Sequence, residues 1–442
     1  MRSQKPPISF DDLRADPSRL VLAPPGQLGA ALLLVDYRPW PKVQYIARDE
    51  KIDPTHAWAM VKSSRLFNWR PLALTQDKGG PFGFCAGEHL IEPLHRIDRE
   101  AKVELEPDLI DDSKQRRLEI ETVMGESTES SLIEGAATTR EEAMDMLRAG
   151  RPARQRGEQM VLNNYIAMQQ VKGWLARPLT IDMLLELQGI LVDGTLDNPA
   201  AKGRLRTPGE NVRVVDTRDQ SVLHTPPHAG GLHDRLQRLC DFANTDHAGD
   251  QFIHPVVKAC ILHFMLGYEH PFVDGNGRTA RAIFYWHVLR QKYSIFEFLS
   301  ISEVIRRGQS RYSQAYLDSE LDDGDLTYFI IYMLDVIRQA LEQLGTRLRD
   351  EEETIERSRR LLRLSGGLNL RQRLLLENAM RHPMTHSTVK SHMNSNGVSK
   401  NTARADLDDL VHRRLMVTEK GQGKEVMYLP APGLKKRLEK RA

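Results

Sequence analysis

Residues 270–281 read HPFVDGNGRTAR, from His270 to Arg281, and follow the apolar run HPVVKACILHFMLGY at residues 254–268. Gly275 and Gly277 permit a backbone turn and a close approach that let amide N–H groups point at an anion. The helix that follows turns its positive end toward the same anion. Arg278 and Arg281, three apart on the first turn, share a face and can clamp phosphate oxygens by charge-assisted hydrogen bonds. Asp274 is a hard oxygen ligand of the kind that holds Mg²⁺ beside phosphates. His270, placed just before the loop, can take a proton from an incoming hydroxyl. A glycine turn ahead of a helix is common, and a histidine beside it is often a satisfied core residue. The full string, with an acid, two guanidiniums and an imidazole around one turn, is much rarer.

Outward from this stretch the pattern is helical from Ser113 to about Leu364. One interruption lies between Gly203 and Pro227, where NVRVVD and SVLHT read as two strands around Thr217, Arg218, Asp219 and Gln220. Residues 1 to about 112 are rich in Pro, Gly and Trp and show no long helical period, so a small mixed N-terminal region is expected, with Trp40, Trp58 and Trp69 anchoring its core. TRLRDEEETIERSRRLLRL alternates acid and base at helical spacings, Arg347 with Glu351 among them, and predicts a connecting helix over 346–365 that Ser365, Gly366 and Gly367 end. A short helix from Leu374 to Met380 and a turn at His382 and Pro383 open the last segment.

The chain of 442 residues has room for about three domains. Its 62 Lys+Arg nearly balance 60 Asp+Glu, which excludes a whole-length polybasic binder of nucleic acid while leaving room for a local basic module. Cys85, Cys240 and Cys260 are too widely separated for a disulfide framework or a zinc knuckle, and Cys240 and Cys260 are expected to fill core volume. His254 and His263 have spacings that suit a buried helix face better than a zinc site. The opening residues lack an apolar leader core, and the run Ala30 to Val35 is too short to span a bilayer. A cytoplasmic location without membrane contact is the expectation.

The string matches HxFx(D/E)GNGRxxR at every specified position and thereby resembles the Fic family of nucleotidyltransferases, over roughly residues 113–345. The resemblance implies a mainly α architecture, the Fido helical core with a β-hairpin flap, and transfer of AMP from Mg-ATP to a Ser, Thr or Tyr hydroxyl of a target protein. It further implies that His270 is the base and Asp274 the Mg²⁺ ligand. Gly275, Asn276 and Gly277 would hold the α-phosphate, Arg278 and Arg281 would clamp the β/γ oxygens, and Tyr312 would lie against the adenine. Glu320 stands where a different polar residue is expected, which weakens the reading of base selectivity. The hairpin, about Asn211 to Thr225, would receive an extended target segment by strand addition.

Upstream, Ser130, Glu134 and Gly135 fit (S/T)xxxE(G/N). A serine and a glutamate four apart share a helix face, and the glycine is a natural terminator. Ahead of the motif this segment resembles the family's inhibitory helix, in which Glu134 would pair with Arg281 and hold ATP unproductively. Thr139 with Glu142 reads as a capping box for the next helix. Reverse removal of AMP is a second activity that the same glutamate would support.

Residues 366–430 have the order of a winged helix. A helix ends near Asn396 and Gly397, Ser399 caps a recognition helix through Leu410 or beyond, and VTEKGQGKEVMYL forms the wing, followed by a basic tail over 431–442. Lys400, Arg404, Lys420 and Lys424, with Lys435, Lys436, Arg437, Lys440 and Arg441, can meet phosphates, whereas Asp406, Asp408 and Asp409 oppose this. DNA binding and protein docking both stay open, as does a homodimer. Two further readings stand beside the AMP transferase: a DNA-binding regulator with a nucleotide-sensing Fic-like domain, and an enzyme moving another group such as UMP or phosphocholine.

Overall fold

A computed structural model describes residues 5–21, 37–77, 79–102, 112–216, 220–362, 367–381, 386–421 and 426–439. The chain is mainly α-helical, with three two-stranded antiparallel sheets among the described residues. Two neighbouring helices, Pro255–Glu269 and Asn276–Arg290, form its centre, and almost every side chain on both is buried. A helix buried on all sides has to sit inside others. Helices Arg156–Gly173, Ile181–Leu191, Leu232–Asn244 and Thr327–Leu362 supply that cover. The loop between the central pair is the 270–275 turn, so the rigid core itself fixes the motif.

The hairpin interruption is present as Val214–Val215 paired with Val222–His224, while Thr217, Arg218 and Asp219 lie outside the described residues. In the N-terminal region, helices Pro54–Leu66 and Glu88–Lys102 form where the sequence shows no helical period. Pro54 sits at the first helical position, where its missing N–H costs nothing and its fixed φ favours the turn, so it starts a helix instead of breaking one. Trp40 and Trp58 meet edge to face at 5.6 Å in a small core of their own. Strands Trp69–Thr75 and Pro81–Cys85 carry Phe82 and Phe84 into the main core. The apolar run at 30–35 lies outside the described residues.

The connecting helix is the continuation of a single helix, Thr327–Leu362, and Arg347 reaches Glu303 at 2.7 Å. Beyond it, helices Leu370–Arg381, Val389–Asn396 and Lys400–His412 precede the hairpin Met416–Lys420 with Val426–Pro430, and Ser387 adds a rung beside Tyr428. Gly397 takes φ 63° to end the second helix, and Ser399 caps the third through Thr402 N at 3.2 Å. The wing tip with Lys424, the turn at His382 and Pro383, and Lys440 and Arg441 are outside the described residues. Within the stretch expected as a basic tail, Leu434–Glu439 is a helix whose Leu434 and Leu438, four apart, join the module's core. Arg437 turns back to the carbonyls of Pro432 and Arg414.

Candidate functional site

His270 ends its helix with φ 44° and Gly275 opens the next with φ 87°, both left-handed. Between them the Asn276 side chain closes the loop on itself: Oδ1 accepts from Phe272 N and Nδ2 donates to Phe272 O, each at 2.9 Å. Glu134 lies against the first turn of helix Asn276–Arg290. A Cβ placed on Gly277 would lie 2.1 Å from Glu134 Oε1, so only glycine leaves room for the carboxylate. A negative group over a helix N-terminus is the favourable arrangement there.

Glu134 stands just beyond helix Asp112–Ile133, where Gly135 takes φ 82°. Arg281 Nη2 donates to Glu134 Oε1 at 2.8 Å and to the Ser130 carbonyl at 3.0 Å, while Nε donates to Ser130 Oγ at 2.8 Å. The third nitrogen, Nη1, is buried with no hydrogen-bond partner among the described residues. A buried donor without a partner is costly, and an anion in the nest is the kind of group that satisfies it. Arg278 is fully buried and differently employed: Nη2 binds Asp274 Oδ1 at 3.0 Å and Nη1 the Leu191 carbonyl at 2.9 Å. Asp274, 35% exposed at the lip, also accepts from Gly275 N at 2.6 Å.

His270 Nδ1 lies 3.3 Å from the Gly267 carbonyl, an acceptor, which places a proton on Nδ1 and leaves Nε2 as the basic nitrogen. Burial holds the ring's pKa down at about 4, so the imidazole is neutral at physiological pH. Tyr312 sits beside Arg281, its hydroxyl 2.8 Å from His263 Nε2 and its ring packed edge-on against Tyr316 at 5.2 Å. His263 is completely buried, and His254 caps its helix and meets Asp98 at 3.2 Å. No cluster of three metal-ligating side chains occurs among the described residues.

Sequence reasoning missed the residues that brace the loop from behind. Arg206 binds the His270 carbonyl at 2.8 Å, the Glu269 carbonyl at 3.2 Å and the Pro227 carbonyl at 2.5 Å, tying the motif to the exit of the hairpin. Gln188 links the Asp274 carbonyl, at 3.3 Å, to Gly203 N, at 2.7 Å. A buried arginine reading three carbonyls from two segments has no local sequence signature. In the C-terminal module Asp406 is buried against Arg371, Asn369 and His392, and Asp409 pairs with Arg413 and Gln372. Lys400 and Arg404 stay exposed, with Asp408 bonded to Tyr428. Of the three acids only Asp406 faces the module's own interior.

Residues 178–288 match the family model described as Fic/DOC family. The protein adenylyltransferases Fic of Drosophila virilis and Drosophila melanogaster are each 31% identical over 119 residues, 27% of this chain and 22% of theirs. The chain therefore spans less than a quarter of the length of these relatives. Among solved structures, a Fic family protein from Desulfovibrio desulfuricans G20 superposes with TM-score 0.49 at 21% identity, covering 79% of this chain and 97% of its own. A Fic domain containing signaling protein from Bacteroides thetaiotaomicron gives 0.47 at 19%, covering 58% and 98%.

Proposed function

This chain carries a Fic domain at residues 178–288, and from that premise we propose that it is an autoinhibited protein adenylyltransferase. In this reading the triphosphate lies on the amides that open helix Asn276–Arg290. The target hydroxyl gives its proton to His270 Nε2, and its oxygen bonds to the α-phosphorus. The bond from that phosphorus to the bridging oxygen breaks and pyrophosphate leaves. Such a transfer needs positioning and charge neutralisation and no covalent enzyme intermediate. Asp274, an exposed hard oxygen at the rim of the nest, suits a Mg²⁺ held by one carboxylate and the phosphates. When bound, that ion neutralises charge on the α- and β-phosphates.

The observation that carries the proposal is Glu134 seated over Gly277 and bonded to Arg281. The carboxylate takes the place and the partner that a γ-phosphate would need, so the resting enzyme idles. Incubation of wild type, Glu134→Gly and His270→Ala with α-labelled ATP, Mg²⁺ and cell lysate tests this. A bond to a charged group contributes about 1.5–3 kcal/mol, so release of Glu134 is expected to raise label transfer about ten- to a hundredfold. Loss of the base is expected to lower it about 10²- to 10⁴-fold. Equal labelling by wild type and Glu134→Gly sinks the brake. Release of AMP from a modified target by wild type, and not by Glu134→Gly, tests the reverse activity.

A second role, DNA contact through the C-terminal module, is favoured by one observation: Asp406 turns inward and Asp409 is paired with Arg413, while Lys400 and Arg404 stay exposed on the Lys400–His412 helix. A salt-dependent gel shift of duplex DNA by the full chain, lost in Lys400→Ala/Arg404→Ala, checks it.

A further inference from the structure

His224 is the last residue of the second flap strand, and both of its ring nitrogens face acceptors. Nδ1 is 2.8 Å from Glu320 Oε2, on helix Gln309–Leu321, and Nε2 is 2.7 Å from the Tyr268 carbonyl, two residues before His270. Neither a carboxylate nor a carbonyl brings a proton to such a bond, so the ring makes both only as imidazolium. The flap's strands are two and three residues long, and an isolated hairpin of that size is not stable in water. Val215 and Val222, paired across it, are 39% and 49% exposed and offer an apolar surface to a passing strand.

We propose that His224 is a positioning residue that latches the flap: its protonated ring, seated between Glu320 and the Tyr268 carbonyl, fixes the strand to which a target segment adds, and loss of the proton frees that strand. The role in target docking rests on the adenylyltransferase reading; the latch itself does not. The groups around the ring are Glu320 on one side and Tyr268, Glu269 and His270 on the other. Glu269 is paired with Arg235 at 2.8 Å, and the Tyr268 hydroxyl accepts from Asp77 N at 3.1 Å. Burial alone lowers the ring's pKa, but Glu320, the Tyr268 carbonyl and Glu269 together raise it above the ordinary histidine value. With the folded value raised, the latch is fully present below the unfolded pKa and is lost as pH rises through the folded one. The same arrangement accounts for Glu320: its carboxylate answers the flap's imidazolium.

Amide hydrogen exchange of the full-length protein at pH 6 and pH 9, corrected for intrinsic rates, reads the latch directly. In wild type, protection of Val214–Val215 and Val222–His224 is expected to fall at least fivefold between the two pH values. Glu320→Gln and His224→Ala are expected to be as unprotected at pH 6 as wild type at pH 9, with the Pro255–Glu269 helix unchanged in all three. Equal flap protection in the three proteins, or protection that does not change with pH, overturns the proposal. In a Glu134→Gly background, transfer of AMP to lysate proteins is expected to decline from pH 7 to pH 9 and to be low and pH-independent when Glu320→Gln is added. Absence of any transfer counts against the adenylyltransferase reading, whereas the exchange data decide the latch whatever the transfer shows.

Discussion

Arg281 is held by three acceptors from one segment, and they are not equivalent. Glu134 brings charge, whereas Ser130 brings a hydroxyl and a carbonyl that any residue would supply. Removing the hydroxyl alone, in Ser130→Ala, forfeits about 0.5–1.5 kcal/mol, so label transfer is expected to rise about two- to tenfold, well short of Glu134→Gly. A wild-type rate in Ser130→Ala contradicts this division of roles. His270 gives a second test. Because burial keeps its pKa at about 4, the neutral, proton-accepting form persists down to mildly acidic pH. The pH profile of transfer by Glu134→Gly is then expected to stay level between pH 7 and about 5.5, with no fall centred on the ordinary histidine value of about 6.5.

At the scale of elements, helix Asp112–Ile133 is fastened along its length, and one row of its residues faces the site. Glu126, Ser130 and Glu134 recur every fourth residue. Glu126 accepts from Ser300 Oγ at 2.8 Å and Ser302 N at 3.0 Å, and also from Ser302 Oγ, at the start of helix Ile301–Arg307. Glu129 binds Arg140 at 2.7 Å and also Arg306. Truncation by Glu126→Ala leaves those buried serine donors without partners and is expected to cost about 2–4 kcal/mol, measurable by urea denaturation. Ser130, Glu134 and Gly135 were legible because spacing along a helix is local information. Glu126 was not, because a buried carboxylate becomes meaningful only through Ser300 and Ser302, far along the chain. Helix Leu434–Glu439 was obscured similarly: its lysines and arginines dominate the sequence, while two leucines decide its place.

Across the whole molecule, the N-terminal region and the C-terminal module are both tied to the helices around the site. Lys62 Nζ meets Asp322 at 2.7 Å with both side chains buried, and Gly83 bonds to Gly324 and Leu326 beside the long helix. Asp322 keeps Arg65 at 3.6 Å and the Tyr328 hydroxyl at 2.8 Å, so Lys62→Met removes one partner of a buried carboxylate and is expected to destabilise the protein by about 1–3 kcal/mol, seen as a lower urea midpoint. At the other end, Asn394 donates to the Arg148 carbonyl at 2.9 Å, and Lys390 donates to the Gly150 carbonyl. Arg148 in turn grips Glu121 on helix Asp112–Ile133 at 2.7 Å. Helix Asp112–Ile133 therefore stands between the helices that flank the 270–275 turn and the C-terminal module.

What the sequence determined by itself was the turn, the helix it opens, the helix end at Ser130, Glu134 and Gly135 and the order of the terminal module, because each depends on residues within a few positions of one another. Local backbone geometry and helical spacing are written in the chain directly. Only the tertiary structure decided that Glu134, 147 residues away from Arg281, rests in the nest, that Arg278 turns inward to Asp274, and that His224 bridges the flap to Glu320. Those are choices of partner. A charged side chain in the sequence has many possible partners, and packing leaves it one.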